Sequence, residues 1–590
     1  MCGICGFIAH RDVYPYIVNF LKILEYRGYD SCGIGIFNGK KINVVRFVGA
    51  PSQVNWPNLY GNVGIGHTRW ATHGKINIEN SHPQVSCNSD IAVVHNGTLY
   101  NYEELRDFLE KKGHKFRSET DTEVLPHLIE EYYDENLELA VMKALSDIQG
   151  TYAIAVICSQ DPDKIVAARN LNPIALGFSP EGAFLSSDIP TLLRFTQNIV
   201  PLNENEIAVL RPREYLIYEI KTGKQVERHP HKIYYPASDM TKTHNSYDSY
   251  TESEIFEQPQ RLRECYLLNT RTYEVANEIN GAERIYLCGA GTSFHAALLF
   301  SYLLAHLGIP SEAIVSSEYP FKSVIDQKTL TIFLSQSGST YDTNNSIRHA
   351  KQHGGKTIGI VNVKESDMEK LVDYVLYTYA GPEIGVASTK NFLNQLYLLL
   401  KIWLDLIKLK DNNAAGLETE IQQIPDYVQQ ILSQEYTHNP RFRTLAENIV
   451  NHGRCIIVGA GLNYPIALEW ALKIKELSYI YAAAYPSGEI KHGPMATIYE
   501  GIPVIAINPE GEKRTFEITR NNISEMRSRG ANVFEVSDSE KADIKIPKVP
   551  YFFSPILTTV PGQLLAVDVA RLLGKNIDKP RNLAKSVTVE

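Results

Sequence analysis

RIYLCGAGTS (residues 284–293) returns as RCIIVGAGLN (454–463), with the two Gly-Ala-Gly triplets 170 positions apart. Each copy is a short apolar run ending in glycines, the form of a buried strand that turns into a helix. A second strand follows at a similar offset in both: TLTIFLSQSG (329–338) and IPVIAINPEG (502–511). Short apolar strands alternating with helices predict parallel sheets covered by helices, and the recurrence predicts two related α/β units. The copies then diverge. The first continues as SQSGST (335–340) and the second as NPEGEK (508–513). Only the first keeps a run of small hydroxyl residues, so it is the copy expected to hold an anion.

The chain before this repeat reads differently. GIGIF, IAVVHNG, TYAIAVIC and EIAVL are short strand-like runs separated by helical patterns such as YEELRDFLEKKG. This predicts an α+β domain. The polar stretch YPASDMTKTHNSYDSYTESE has little to bury and reads as a linker. The expected division is an α+β domain over 2–235, a linker over 236–252, two doubly wound α/β domains over 253–425 and 426–575, and a polar tail over 576–590. A length of 590 residues accommodates that many units.

Composition excludes several classes. The chain is 44% apolar and 21% charged, which is ordinary for a globular protein. A net charge of −9 argues against nucleic acid as the main partner. The eight cysteines are scattered, as expected for reduced thiols. The most apolar long stretch, LYLLLKIWLDLIKL (396–409), contains Lys401, Asp405 and Lys408, so a core helix is expected and not a membrane span. The expected location is cytoplasmic.

Two places carry chemistry. Cys2 follows the initiator Met in MCGICGF, and removal of Met1 would place a free α-amine beside its own thiol. That amine can act as general base, so no histidine is needed. A zinc or redox pair of Cys2 with Cys5 is the rival, but no second Cys-x-x-Cys supplies further ligands. In the same domain HTRWATHG (67–74) offers Arg69 beside Trp70, VVHNG (93–97) offers Asn96 and Gly97, and SETDTE (118–123) offers Asp121. An amide side chain and a glycine N–H can make an oxyanion hole. An arginine and an aspartate can hold the carboxylate and ammonium of an amino acid, so glutamine fits. Singly, each has a bland alternative: a surface charge, a hairpin turn, a helix cap.

In the second half, Thr292 and Ser293 end one strand and Ser335, Gln336, Ser337 and Thr340 end the next. Hydroxyls and N–H groups at helix starts suit a phosphate, and open parallel sheets bind ligands at such strand ends. This is not a Walker loop. ALEWALKIKELSYI (467–480) places Glu469, Lys473 and Glu476 on one face of a helix whose other faces are largely apolar, which points to a buried functional stripe. GEIKHGP (488–494) adds His492, and the tail adds Lys585, whose amine can form a Schiff base.

MCGICGFIA, LEYRGYDS, HTRWATHG, NSHPQ, VVHNG and SETDTE together resemble the N-terminal-nucleophile (Ntn) glutamine amidotransferase domain. The resemblance implies Cys2 as nucleophile, Asn96 and Gly97 as oxyanion donors, and a glutamine pocket of Arg69, Trp70, His73 and Asp121 shaped by His82 and Arg27. EIGVASTK (383–390), GEIKHGP and DKPRNLAKSVTVE, with the segments above, resemble the sugar isomerase (SIS) domains of the glutamine-dependent fructose-6-phosphate aminotransferases. That implies transfer of the glutamine amide nitrogen to D-fructose 6-phosphate, giving D-glucosamine 6-phosphate and L-glutamate, the first step of hexosamine synthesis. By the same resemblance Ser335, Gln336, Ser337 and Thr340 hold the phosphate, and Thr292, Ser293, Val386 and Ser388 line the sugar site. Lys585 forms the imine, Glu476 moves the proton between C1 and C2, Lys473 supports Glu476, and His492 assists ring opening from a neighbouring subunit. A homodimer, an internal ammonia channel gated by Trp70, and no metal or organic cofactor are implied.

The chain departs from that pattern at Ala290, Ser339, Tyr481 and Ala483, where the family usually has Cys, Glu, His and Glu. The last two keep alive a relative acting on a different sugar phosphate. Amidophosphoribosyltransferases and asparagine synthetases share only the first half, and SQSGSTYDT matches neither of their second-substrate loops. A sugar-phosphate sensor would have no use for Cys2, Glu476, His492 and Lys585.

Overall fold

The computed structural model describes residues 2–71, 74–233, 247–410, 414–433 and 439–588. The chain divides into two compact units, Met1–Met240 with Ala584–Glu590, and Thr241–Leu583.

The first unit stacks an eight-stranded sheet on a seven-stranded one. In the first sheet, strand Gly3–Ile8 runs antiparallel between Val63–Arg69 and Gly182–Ser186. In the second, Ile91–Leu99 pairs antiparallel with Gly150–Cys158. Strand alternation divides the side chains between two cores. Ala92 and Val94 face Ile4, Ile8 and Ile65 between the sheets. Ile91 and Val93 face outward, into helices Val124–Tyr132 and Leu137–Asp147. Helix Tyr14–Leu24 buries Ile17, Phe20, Leu21 and Leu24 on the other side. The result is four layers, helix–sheet–sheet–helix. Because both faces of Ile91–Leu99 are covered, the IAVVH run shows no polar alternation.

The second unit holds two five-stranded parallel sheets. One has the order Glu312–Val315, Arg284–Gly289, Thr329–Ser335, Lys356–Val361, Tyr374–Tyr377. The other has Tyr481–Pro486, Arg454–Gly459, Pro503–Ile507, Asn532–Ser537, Ile544–Lys545. Both follow the 2-1-3-4-5 doubly wound order, whose ligands sit at the carboxyl ends of the strands beside the first. The repeated triplets do the same work in each. A Cβ at Gly289 would lie 2.7 Å from the Ser293 carbonyl carbon, and one at Gly459 would lie 2.4 Å from Asn463 O. The third residues, Gly291 and Gly461, turn at φ +53° and +55°, which favours glycine.

Two helices fill the core of this unit. Lys390–Leu409 is the helix expected from LYLLLKIWLDLIKL, and Lys401 reaches out of it to donate to the carbonyls of Tyr266 and Asn269, both at 2.6 Å. Ser554–Leu572 is buried along most of its length despite two prolines. With the preceding turn it is long and apolar enough to cross a membrane, but 89% of its apolar stretch is buried inside the protein. Gly562 lets the Trp470 indole press against it, where a Cβ would lie 2.2 Å from Nε1, and that N–H donates to Thr558 O at 2.9 Å.

Most of the expected linker falls on residues 234–246, outside the described residues. At its end Ser249 caps helix Tyr250–Phe256. Helix Ala415–Ser433 runs through the expected domain boundary at 425/426, with Pro425 inside it. The tail begins in the second unit, where Asp578 accepts from the Tyr250 and Thr251 amides at 2.9 and 2.8 Å.

Candidate active sites

Strand pairing places Cys2 at the mouth of the sheet interface. Gly3 pairs with Thr68, and a Cβ on Gly3 would lie 2.7 Å from the Thr68 hydroxyl, so Cys2 is held close to Arg69 and Trp70. The Trp70 N–H approaches Cys2 Sγ at 3.3 Å. Burial pushes the thiol up, while the Trp70 N–H and the Arg69 guanidinium pull the other way. A thiol of that kind needs a base beside it.

Asn96 lies on the inner face of Ile91–Leu99, in line with Ala92 and Val94. Its Nδ2 donates to Cys2 O at 3.1 Å, and its Oδ1 accepts from His67 Nε2 at 3.1 Å. His67 is therefore the group that sets which way the amide points. Burial lowers its pKa to about 3, so the ring is neutral. Sequence reasoning passed over His67; it opens the HTRW segment, but its target lies on another strand. Gly97 turns at φ +143°, and a Cβ there would sit 2.0 Å from Thr151 O, so no other residue fits. Two residues on, the Leu99 amide donates to Asp121 Oδ2 at 2.9 Å, which brings the Asp121 carboxylate to the same strand.

Arg69 is buried, and its guanidinium reaches Lys75 O and Gly74 O at 3.3 and 3.4 Å. Trp70 is half-buried and edge-on to Tyr29, with ring centroids 5.5 Å apart. The His82 ring lies against His67, tilted by 34° with centroids 4.2 Å apart, and accepts from the His95 amide at 3.4 Å. Burial, with His67 and Arg69 nearby, holds His82 well below the ordinary histidine value. Arg27 is committed elsewhere: its guanidinium pairs with buried Asp188 at 2.6 Å, and Asp188 also caps Thr191. That pair braces helix Ile189–Leu192. His73 lies outside the described residues.

In the second unit Thr292 and Ser293 begin helix Thr292–His306. Ser293 Oγ accepts from Gln395 at 3.0 Å. Ser335 Oγ accepts from the Gly338 amide at 3.0 Å and lies 3.4 Å from the Thr340 hydroxyl, which closes the SQSGST turn on itself. A Cβ on Gly338 would strike Ser366 Oγ at 2.2 Å, so the turn requires glycine. The Gln336 carbonyl accepts from Asn362, and Ser337 Oγ accepts from the Ser339 amide and hydroxyl. Val386 N donates to Asp578 O at 3.0 Å, tying the EIGVASTK segment to the tail. Ser388 donates to Glu383.

In the charge stripe on helix Asn463–Ser478, Glu469 and Lys473 are buried, while Glu476 is only half-buried. Lys473 Nζ lies 2.6 Å from Glu476 and 3.4 Å from Glu469. Burial works against the lysine charge, but Glu469 and then Glu476 outweigh it and the pKa rises. Glu469, not singled out as a site residue, reaches across the repeat. Its oxygens meet Thr292 Oγ1 at 3.1 Å and His295 Nδ1 at 2.7 Å. One buried carboxylate in the middle of helix Asn463–Ser478 thus reaches the first turn of helix Thr292–His306 in the other α/β half. His492 is exposed in its loop, and Lys585 is half-buried and groups with the first unit.

Of the departures, Ala290 and Ser339 lie in the turns that follow strands Arg284–Gly289 and Thr329–Ser335, whereas the other two lie elsewhere. Tyr481 and Ala483 open the edge strand Tyr481–Pro486, paired with Arg454 and Ile456 at the start of its neighbour. Tyr481 is 72% exposed.

These two sites on these two folds define a glutamine amidotransferase joined to a sugar-phosphate isomerase. A glutamine amidotransferase domain family matches residues 49–247, and a SIS domain family matches 278–402 and 448–547. A glutamine–fructose-6-phosphate aminotransferase (isomerizing) of Thermococcus kodakarensis is 41% identical over 611 residues, covering all of both chains. One of Clostridium tetani is 39% identical over 617 residues, again covering both. The solved C-terminal domain of glucosamine–fructose-6-phosphate aminotransferase from Francisella tularensis is 30% identical, with a TM-score of 0.51. It covers 57% of this chain and 99% of its own. The chain belongs to the glutamine–fructose-6-phosphate aminotransferase (isomerizing) family.

Proposed function

We propose that this chain converts D-fructose 6-phosphate and L-glutamine to D-glucosamine 6-phosphate and L-glutamate, with Cys2 as the glutaminase nucleophile. The carrying observation is Asn96, aimed at Cys2 by a neutral His67. With Met1 removed, the Cys2 amine takes the thiol proton and the sulfur attacks the side-chain carbonyl of glutamine. Asn96 Nδ2 and the Gly97 amide stabilise the oxyanion. Arg69 and Asp121 hold the substrate carboxylate and ammonium, and Trp70 gates release of ammonia. Water then frees glutamate from the thioester.

The SQSGST turn holds the sugar phosphate at the start of helix Tyr341–Gln352, with Thr292, Ser293, Val386 and Ser388 lining the sugar. Lys585 forms an imine at the ketose carbonyl and ammonia displaces it. Glu476, held in place by Lys473, moves the proton from C1 to C2. His492 is supplied to a neighbouring copy in a homodimer, which suits its exposed loop. The setting is cytoplasmic. No step draws on a metal or organic cofactor.

The test is product formation from glutamine with fructose 6-phosphate against a panel of other sugar phosphates, using Cys2→Ala and Lys585→Ala as controls. Glucosamine 6-phosphate that disappears in both variants supports the reading. Glutamine hydrolysis without amination of fructose 6-phosphate would overturn the substrate assignment.

A further inference from the structure

Away from both sites, four side chains of the first unit converge. Cys87 lies in the turn between strands Gln84–Val85 and Ile91–Leu99, His114 follows helix Tyr102–Lys111, and His127 and Glu130 share one face of helix Val124–Tyr132. Cys87 Sγ lies 3.6 Å from His114 Nδ1 and 3.5 Å from His127 Nδ1. The two Nδ1 atoms are 3.3 Å apart. Glu130 Oε2 lies 3.2 Å from His114 Nδ1 and 3.6 Å from His127 Nδ1. All four atoms fall within 4.8 Å of one another. A tetrahedron with edges of this length has its corners about 2.1 Å from its centre, the bond length of zinc to nitrogen and oxygen and slightly short of that to sulfur. We propose that Cys87, His114, His127 and Glu130 form a tetrahedral site for a borderline-soft divalent cation, zinc(II).

The surroundings support a metal centre over a hydrogen-bonded cluster. A proton lies along one line between two atoms, whereas here four lone-pair atoms crowd around one point. The donor set of thiolate, two imidazoles and carboxylate suits zinc and is poor for calcium or magnesium. Both histidines turn Nδ1 inward and Nε2 toward a carboxylate: His114 Nε2 is 3.4 Å from Glu131 Oε2, and His127 Nε2 is 3.7 Å from Glu123 Oε1. Outer carboxylates that accept such an N–H orient metal-bound imidazoles; Glu131 is within that reach of His114, and Glu123 faces a buried His127 Nε2 that has no other hydrogen-bond partner among the described residues. Glu123 is itself fixed by the Arg117 and Ser118 amides at 2.8 and 2.6 Å. The cation would therefore clasp the Cys87 turn and the segment after helix Tyr102–Lys111 to helix Val124–Tyr132. The glutamine-pocket Asp121 lies just ahead of that helix. The role is structural, and the fourfold closed ligand set leaves no position for substrate.

The test uses the full chain in a Cys2→Ala background, so that the terminal thiol adds no metal affinity. The protein is loaded with zinc, freed of excess, and assayed for metal; a second sample is loaded with cobalt(II). About one equivalent of zinc per chain is expected, with a thiolate-to-cobalt absorption band and strong visible bands of tetrahedral cobalt. Cys87→Ser should abolish the charge-transfer band, and Glu123→Gln, which keeps all four ligands, should weaken zinc binding about 10- to 100-fold. Less than about a tenth of an equivalent of zinc on the starting protein, or a cobalt spectrum unchanged by Cys87→Ser, overturns the proposal.

Discussion

Glu469→Gln tests whether one buried carboxylate joins the two α/β halves. Its oxygens serve Thr292, His295 and Lys473, and both Glu469 and Lys473 are essentially inaccessible to water. Glutamine keeps the shape but removes the charge and turns an N–H toward one of three donors. Removing one partner of a buried pair costs about 3–5 kcal/mol. Lys473 retains Glu476 at 2.6 Å, so the lower end, about 3 kcal/mol, applies. An unfolding entropy of about 2.1 cal/mol/K per residue, over the roughly 340 residues of the second unit, turns this into a fall of about 4 °C in melting temperature. Calorimetry of the full chain reads the shift. Glucosamine 6-phosphate synthesis should fall about 10- to 100-fold as Thr292 loses its anchor, while glutamine hydrolysis in the first unit holds. An unchanged melting temperature together with normal synthesis would refute the reasoning.

Asn96→Ala should lower the kcat of glutamine hydrolysis about 100- to 1000-fold with little change in KM, read by glutamate release; a loss confined to KM would remove Asn96 from the oxyanion role. Gly97→Ala must move the Thr151 carbonyl, which lies 2.0 Å from the new Cβ, at a φ of +143°. Loss of hydrolysis and a destabilisation of about 3 kcal/mol are expected by chemical denaturation. His67 is neutral when folded, down to about pH 3, and protonates near pH 6.5 when unfolded. The unfolded state then binds the extra proton, so stability is full above about pH 6.5. It falls by about 1.4 kcal/mol per pH unit as pH drops from there toward 3. Urea melts of the wild type and His67→Gln between pH 7 and 5 should show the shallower slope in the variant, and equal slopes would contradict a buried neutral ring.

What was legible in the sequence is what depends on neighbours along the chain. The Gly-Ala-Gly triplets could be read because a strand-to-helix turn needs glycine within three residues, and Gly289 and Gly459 make the same close approach. The stripe Glu469–Lys473–Glu476 could be read because helical spacing puts it on one face. Long-range partnerships left no local mark. Arg27 looks like a pocket residue in LEYRGYDS, yet it meets Asp188 across 161 positions. Glu469 meets Thr292 across 177. His67 orients Asn96 from a different sheet. The Cys87, His114 and His127 cluster is spread over three elements, and only the i, i+3 pair His127–Glu130 is visible in order. Ser554–Leu572 was hidden for another reason: Pro561 inside it argues against a helix, and tertiary burial overrides that.

The two copies of the repeat also differ in a way that favours the first for the proposed sugar-phosphate site. Both halves turn through a glycine in the same conformation, but their surroundings differ. Among the described residues nothing lies within 4 Å of a Cβ at Gly291, whereas at Gly461 the Tyr551 hydroxyl lies 2.4 Å from that point and accepts from the Leu462 amide at 3.0 Å. The next helix start differs in the same sense. In the second copy the carboxylate of Glu512 accepts from the amides of Arg514 and Thr515 at 3.0 and 2.6 Å, so the chain's own anion sits on the positive end of helix Lys513–Arg527. In the first copy Thr340 opens helix Tyr341–Gln352 with no side-chain capping bond. A phosphate approaching the first copy would meet hydroxyls and a helix start that Thr340 does not cap, with Asp342 in its first turn. One approaching the second meets a tyrosine and a carboxylate that already fill the same places. On the proposed reading, the divergence of SQSGST from NPEGEK is a difference in what occupies a shared anion position, a substrate phosphate in one half and the chain's own carboxylate in the other.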